Sequence, residues 1–256
     1  MCFNARFRLQ VALKRAKRKS NAEEIEHWEE SLKLYDKWFQ VSGFAHPEVI
    51  IYTNNKPYKP QLSTWGFIPD WAKDAKNIWN NTLNAKAETI FKKSTFAKSA
   101  EEKRCIIPAE GFYEYHHFRG KTYPFYISHR ENKPLTFAGL WNEWTNHKTG
   151  KILNTFSIVT TKANLLMTKI HNNPKLSGDS RMPVILPEEL ENEWLKPIGK
   201  NELQDLLQPL PDSELIARTV RKLSGKNSPG NIYEANEKYN YDDLEFDMNN
   251  QFNLFN

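Results

Sequence analysis

The segment between residues 105 and 160 decides what kind of fold this chain can adopt. Five stretches rich in β-branched and aromatic residues, 105–107, 111–118, 123–128, 135–144 and 152–160, follow one another with turn residues between them, as consecutive strands do. Gly120 supplies one hairpin turn and residues 147–150 another. Two shorter strand-like stretches, 49–52 and 63–67, precede the block and are broken by Pro and Asn.

Helical patterning flanks this centre. Leu9, Leu13 and Ala16, then Ile25, Trp28, Leu32, Tyr35 and Phe39, recur at spacings of three and four, which predicts two helices over residues 8–41. Ser20 and Asn21, followed by Glu23 and Glu24, mark the cap and first turn of the second. Residues 71–98 alternate loop with weak helical patterning. Further helices are expected over 163–170, 187–194 with Pro187 in its first turn, 201–207 and 212–217. No internal repeat is present.

A chain of 256 residues supports one large core. Its 39% hydrophobic and 13% aromatic content exceeds what a wholly disordered chain carries. One domain is expected over residues 1–226, followed by an acidic, Asn-rich flexible tail over 227–256, whose Tyr, Leu and Phe side chains are able to dock locally. No stretch approaches the run of about 20 apolar residues that a spanning helix needs, and the first twenty residues lack the apolar region of a secretory signal. A soluble, intracellular protein is expected. Only Cys2 and Cys105 carry thiols, which excludes a disulfide framework. The formal charge of +5 hides an asymmetry: residues 231–256 hold six acids against Lys238, so the remainder carries +10. That balance suits a polyanionic partner for the main body. The run Lys14, Arg15, Lys17, Arg18 and Lys19 fits either a solvated helix C-terminus or a phosphate contact.

The phosphate-binding glycine loops, the zinc-hydrolase HExxH, paired CxxC and the serine-hydrolase GxSxG are all missing. The seven histidines show no ligand spacing, and the adjacent His116 and His117 would point to opposite faces of a strand, so neither a metal nor a cofactor is expected. Cys2 is the unusual feature. Removal of Met1 would leave a cysteine with a free α-amine and a thiol on one residue. An α-amine has a pKa of about 7.7 to 8.0, so part of it is neutral and nucleophilic at physiological pH. It condenses with an aldehyde, and the adjacent thiol then closes a five-membered thiazolidine.

The chain also carries WGFIPDWA (65–72), LNAKAET (83–89), RCIIPAEGFYEY (104–115), FAGLW (137–141), SIVTTKAN (157–164), Ile170-His171 and RMPVIL (181–186). In this order, after Met-Cys, these motifs closely resemble the SOS response-associated peptidase family of abasic-site processing proteins. The resemblance covers about residues 1–220. It implies an α+β fold, a mixed, barrel-like β-structure flanked by helices, with a groove for DNA. It further implies that Cys2 captures the aldehyde of an abasic site in single-stranded DNA, shielding the lesion in the DNA damage response. The label "peptidase" then describes self-cleavage of Met1, and strand scission by β-elimination belongs to the same repertoire.

By the same resemblance Asn84 orients the terminal amine, Glu114 is the proton donor and shuttle, with Glu110 an alternative in the same segment, and His171 serves general acid–base work. Trp65, Phe67 and Trp71 are candidate stacking surfaces for unpaired bases, with core packing as the other reading of each tryptophan. Arg6, Lys86 and Arg181 fall at phosphate-gripping positions. The expected protein is a monomer that binds single-stranded DNA with abasic sites, uses no small-molecule cofactor, touches no membrane, and is cytoplasmic, joining the nucleoid when DNA is damaged. Several features depart from the pattern. The usual M-C-G-R start is MCFNAR, Lys86 replaces Arg, Tyr115 replaces Trp, and residues 172–180 are inserted between His171 and Arg181. Two rival functions use the same residues differently: a thiol peptidase with Cys2 as nucleophile and His171 as base, and a non-enzymatic single-strand binder.

Overall fold

The structure is a computed structural model that describes residues 2–18, 22–31 and 38–244. In chain order the strands are β1 (Asn4–Phe7), β2 (Trp38–Ser42), β3 (Glu48–Thr53), β4 (Lys56–Trp65), β5 (Asn84–Lys86), β6 (Arg104–Ala109), β7 (Gly111–Phe118), β8 (Lys121–His129), β9 (Leu135–Thr145), β10 (Ile152–Lys162), β11 (Arg181–Pro183) and β12 (Leu215–Thr219). The helices are α1 (Leu9–Ala16), α2 (Ala22–Ser31), α3 (Ala97–Glu102), α4 (Leu165–Ile170), α5 (Glu191–Leu195) and α6 (Lys200–Asp205).

Five strands close on themselves. β10 pairs with β4 in parallel, and β4–β3, β3–β6, β6–β9 and β9–β10 complete the ring antiparallel. Closure removes exposed edges. The C-terminal half of β10 runs out of this barrel and is flanked by β5 in parallel and β11 antiparallel. Residues 155–161 of β10 are consequently buried on both faces. A second sheet, in the order β12-β8-β7-β1-β2, lies beside the barrel. Phe112 of β7 meets Phe137 of β9 edge to face at 5.9 Å, and one continuous apolar cluster joins the two β-structures. The architecture is α+β.

Two expected helical segments are strands. Phe39 lies in β2, not in a helix, because residues 38–42 hydrogen-bond to β1 and the Trp38 indole donates to the Glu48 carbonyl at 3.1 Å. Residues 215–219 pair with β8, leaving only a 3-10 turn at Asp212–Glu214 of the helix expected over 212–217. The proposed cap residues Ser20 and Asn21, with Leu32 and Tyr35, lie outside the described residues.

The cationic run at the end of α1 meets carboxylates of its own chain at Lys14, Arg15, Lys17 and Arg18, while Lys19 lies outside the described residues. Arg15 is buried against Glu191 and donates to Asn192 at 2.6 Å, Arg18 pairs with Glu188 at 2.5 Å, and Lys17 pairs with Glu29 at 2.6 Å. A cleft of about 400 Å³ opens beside this network. Part of the acidic C-terminal segment docks. Asn231 accepts from the Phe39 and Gln40 amides, and Tyr241 and Leu244 pack on the core. No described helix is long and apolar enough to cross a membrane.

Candidate active site around Cys2

Cys2 precedes β1, and pairing of β1 between β2 and β7 fixes where it sits. It is fully buried. Burial, and then the charge of Glu114, push its thiol well above the ordinary range, so the sulfur is held protonated. The Sγ makes a long contact of 3.8 Å with the Asn4 carbonyl.

Asn84 begins β5, which lies in register with Ile158 of β10. Its Nδ2 donates to the Cys2 carbonyl at 2.8 Å, joining the chain start to the barrel extension. Its Oδ1 is buried and has no hydrogen-bond partner among the described residues. An unpartnered buried acceptor costs about 1 to 3 kcal/mol, and this one lies beside Cys2.

Glu114 alternates along β7 with Tyr113 and Tyr115 and shares with Phe112 and His116 the face turned towards the barrel. Burial raises its carboxyl above the ordinary value, which favours the protonated acid. The other candidate, Glu110, is engaged by Arg6 at 2.5 Å and Arg8 at 3.0 Å. Of the two carboxyls, Glu114 is the one that acts electrostatically on the Cys2 thiol.

His171 terminates α4 and is buried. Its Nδ1 accepts the Arg181 amide at 2.9 Å, so the neutral ring carries its proton on Nε2. Burial lowers its pKa from 6.5 to about 4, which keeps it neutral near pH 7. Asn172 clasps β7, accepting from the His117 amide at 2.7 Å and donating to its carbonyl at 3.0 Å, which ties the histidine segment to the Glu114 strand.

The structure thus gathers Cys2, Asn84, Glu114 and His171 from four separate segments. The candidate DNA contacts are placed differently. Trp65 is core: it donates to the Leu83 carbonyl at 2.9 Å and packs against Phe7 and Phe156, leaving no face for a base. Phe67 is likewise buried, against Phe96 at 5.3 Å. Trp71 is 59% exposed and remains available for stacking. Arg6 is enclosed by Glu110, the Tyr233 carbonyl at 2.9 Å and the Phe39 and Tyr233 rings, so it holds the fold and not a phosphate. Lys86 is half-exposed and pairs with Asp179 at 2.5 Å. Arg181 is buried, with a bidentate pairing to Glu88 at 2.7 and 3.2 Å and a second contact to Asp179 at 3.3 Å. Lys86 first, and Arg181 with it, hold the Asp179 carboxyl below its ordinary value. The sequence reading missed Asp179 and Asn172; their signal was the insertion itself.

A buried cysteine at position 2, bound by an amide and close to a buried carboxyl of raised pKa, with a neutral buried imidazole on a segment clasped to the same strand, on a barrel paired with a second sheet, defines the class. The SOS response associated peptidase (SRAP) family model matches residues 1–227, and the chain belongs to that family. Among its relatives, the abasic site processing protein YoqW of Bacillus subtilis (strain 168) is 44% identical over 176 residues, 67% of this chain and 74% of that protein. The abasic site processing protein HMCES of Gallus gallus is 29% identical over 169 residues, 57% of this chain and 48% of that protein. A solved structure of a Bacteroides thetaiotaomicron protein aligns with a TM-score of 0.81 at 31% identity, covering 93% of this chain and all of that one. One from Bordetella bronchiseptica shares the fold, with a TM-score of 0.66 at 24% identity, over 86% of this chain and 99% of that one.

Proposed function

We propose that this protein captures abasic sites in single-stranded DNA through Cys2. Hydrolysis of the Met1–Cys2 peptide bond consumes one water, releases methionine and frees the α-amine. The amine adds to the aldehyde carbon of the ring-opened sugar, and the carbinolamine loses water to give an imine. The thiol then adds across the C=N bond: sulfur bonds to carbon, its proton passes to nitrogen, and a thiazolidine links protein and DNA.

The pocket serves each step. The orphaned Asn84 Oδ1 accepts from the freed amine and aims its lone pair. Glu114, held as the acid by burial, donates to the departing oxygen, and its carboxylate then accepts a proton. The Nε2–H of His171 donates to sugar or phosphate oxygens. Trp71 offers a stacking face to a neighbouring base. The names of YoqW and HMCES support the same reading.

The observation that carries the reading is the contact of Asn84 with Cys2, beside the buried acid Glu114. The thiol peptidase reading needs an imidazole lone pair to deprotonate Sγ, whereas Nδ1 of His171 is occupied by a backbone amide and Nε2 bears the proton. Intact mass after incubation with an abasic single-stranded oligonucleotide tests the proposal. The expected product has lost methionine and gained the oligonucleotide minus one water, and Cys2→Ala forms none. Mature protein with Cys as its first residue that gives no denaturant-resistant adduct would falsify the reading.

A further inference from the structure

Cys2, Asn84, Glu114 and His171 are all buried, none more than 9% exposed, and the groups they present are uncharged. The Asn84 amide holds the Cys2 carbonyl at 2.8 Å, and the His171 ring accepts the Arg181 amide through Nδ1 at 2.9 Å, which leaves the neutral tautomer. Burial acts the same way on the thiol and on the Glu114 carboxyl, favouring the protonated, neutral form of each. The cations that follow these residues in the chain are occupied. Lys86, two residues after Asn84 on β5, pairs with Asp179 at 2.5 Å, and Arg181 pairs with Glu88 at 2.7 Å and with Asp179 at 3.3 Å. An anion brought to Cys2 therefore meets neutral groups, and cations already matched by carboxylates. Taking a carboxylate out of water into such a place is strongly unfavourable, whereas an uncharged carbonyl compound meets no such penalty.

The reacting part of an abasic sugar fits these surroundings. Ring opening exposes an aldehyde carbon bonded to a CH2 group, both uncharged, and the phosphates hang from carbons further along. Only the aldehyde carbon takes part in the bonds that form and break. The rest of the DNA supplies binding energy from remote contacts, which speeds capture without entering the chemistry. A free aldehyde meets the same amine and the same thiol. Removal of Met1 vacates space at the Cys2 nitrogen itself, and a small aldehyde needs far less of it than a nucleotide does.

We propose that the Cys2 pocket has a second activity: it captures small, free, uncharged aldehydes as thiazolidines, and it turns away carbonyl compounds that carry a carboxylate beside the reacting carbon. The aldehyde oxygen leaves as water with the two amine hydrogens, C–N and C–S bonds form, and the thiol proton ends on nitrogen, so no oxidant or reductant is needed. The inference rests on the capture chemistry proposed above and adds the class of free compound that competes with a lesion for Cys2. Each aldehyde taken up removes one copy of the protein from those able to mark DNA.

The test uses mature full-length protein whose first residue is confirmed as Cys, with the peptide Cys-Phe-Asn-Ala-Arg as a solvent-exposed reference that has the same start. Each is treated with glycolaldehyde or with glyoxylate, and denaturing intact mass follows addition of the probe minus one water. The peptide corrects for the intrinsic reactivity and hydration of the two probes. The protein is expected to form the glycolaldehyde adduct and to prefer glycolaldehyde over glyoxylate at least about 100-fold more than the peptide does. It should then lose crosslinking to an abasic single-stranded oligonucleotide in proportion to the adduct formed. Cys2→Ser, which retains the amine, should give no stable adduct. Reaction with both probes in the peptide's ratio overturns the inference, as does the absence of a glycolaldehyde adduct from protein that still crosslinks the oligonucleotide; the capture reading survives both. Protein that takes neither glycolaldehyde nor the oligonucleotide sinks the capture reading as well.

Discussion

On the outer face of the five-stranded sheet, Arg6 donates to Glu110 and to the Tyr233 carbonyl between two aromatic rings, and the Tyr113 hydroxyl donates to the Phe39 carbonyl at 2.9 Å. On the face turned towards the barrel, burial raises the Glu114 carboxyl and the Cys2 thiol, His171 is driven neutral, and the Asn84 Oδ1 has no partner among the described residues. Both regions bury polar groups, yet only in the second does burial move the protonation of a carboxyl, a thiol and an imidazole together. Satisfied networks rigidify a fold, whereas groups held away from their preferred protonation or partner are available for chemistry. Substitutions in the two regions should therefore separate stability from capture.

The largest effect on stability is expected from Arg6→Met. Removing one member of a buried ion pair costs about 3 to 5 kcal/mol, and the lower end applies because Arg8 still partners Glu110 at 3.0 Å. Urea unfolding should show a loss of about 3 kcal/mol. The fraction that remains folded should form the Cys2 adduct at the wild-type rate. A rate loss out of proportion to the folded fraction would break the division between the faces.

Glu114→Gln should behave in the opposite way. Crosslinking is expected to fall about 100-fold, the lower range for loss of a positioned acid, while the fold gains stability at neutral pH. The sign follows from the raised carboxyl. The folded state binds its proton more tightly than the unfolded chain does, so that contribution is fully present below the unfolded value of 4.5 and is lost as pH rises through the folded one. Glutamine removes the slope. Unfolding curves at pH 4 and pH 7 check it, and a variant less stable than wild type at pH 7 would show that Glu114 is a satisfied structural carboxylate.

The strands of the centre were legible because each carries its own pattern: the stretches 111–118 and 135–144 match β7 and β9 closely. Residues 38–42 and 215–219 were misread as helix because apolar spacing in a short window does not reveal a distant strand edge, and pairing with β1 and β8 overrides it. Closure of the barrel through the parallel β10–β4 contact has no local signal at all. The four residues of the proposed pocket were singled out through the order of motifs and not through any local chemical pattern. Nothing in the composition distinguishes a buried Arg6 or Trp65 from an exposed one, so their burial emerged only when Glu110, Tyr233 and Phe156 were seen around them. Lys86 and Arg181 were correctly marked as cations, but the partner that occupies them lies in the one segment the family pattern lacks.

His171 gives the smallest and most discriminating expectation. Its pKa falls from 6.5 to about 4 on folding, so the folded state binds fewer protons and stability declines as pH drops from 6.5 towards 4. Allowing for partial solvent access, the loss is about 2 kcal/mol. This slope has the opposite sign to that of Glu114, so the two must be read from single variants. His171→Gln should flatten the decline between pH 6.5 and 4 and slow capture at pH 7 by less than tenfold, because a glutamine amide also donates a proton in a hydrogen bond. A residue acting as base must titrate within the reaction, whereas a donor with its other nitrogen held by the Arg181 amide need not. A capture-rate profile in which wild type shows an inflection between pH 4 and 6.5 that the glutamine variant lacks would return His171 to the role of base and restore the peptidase reading.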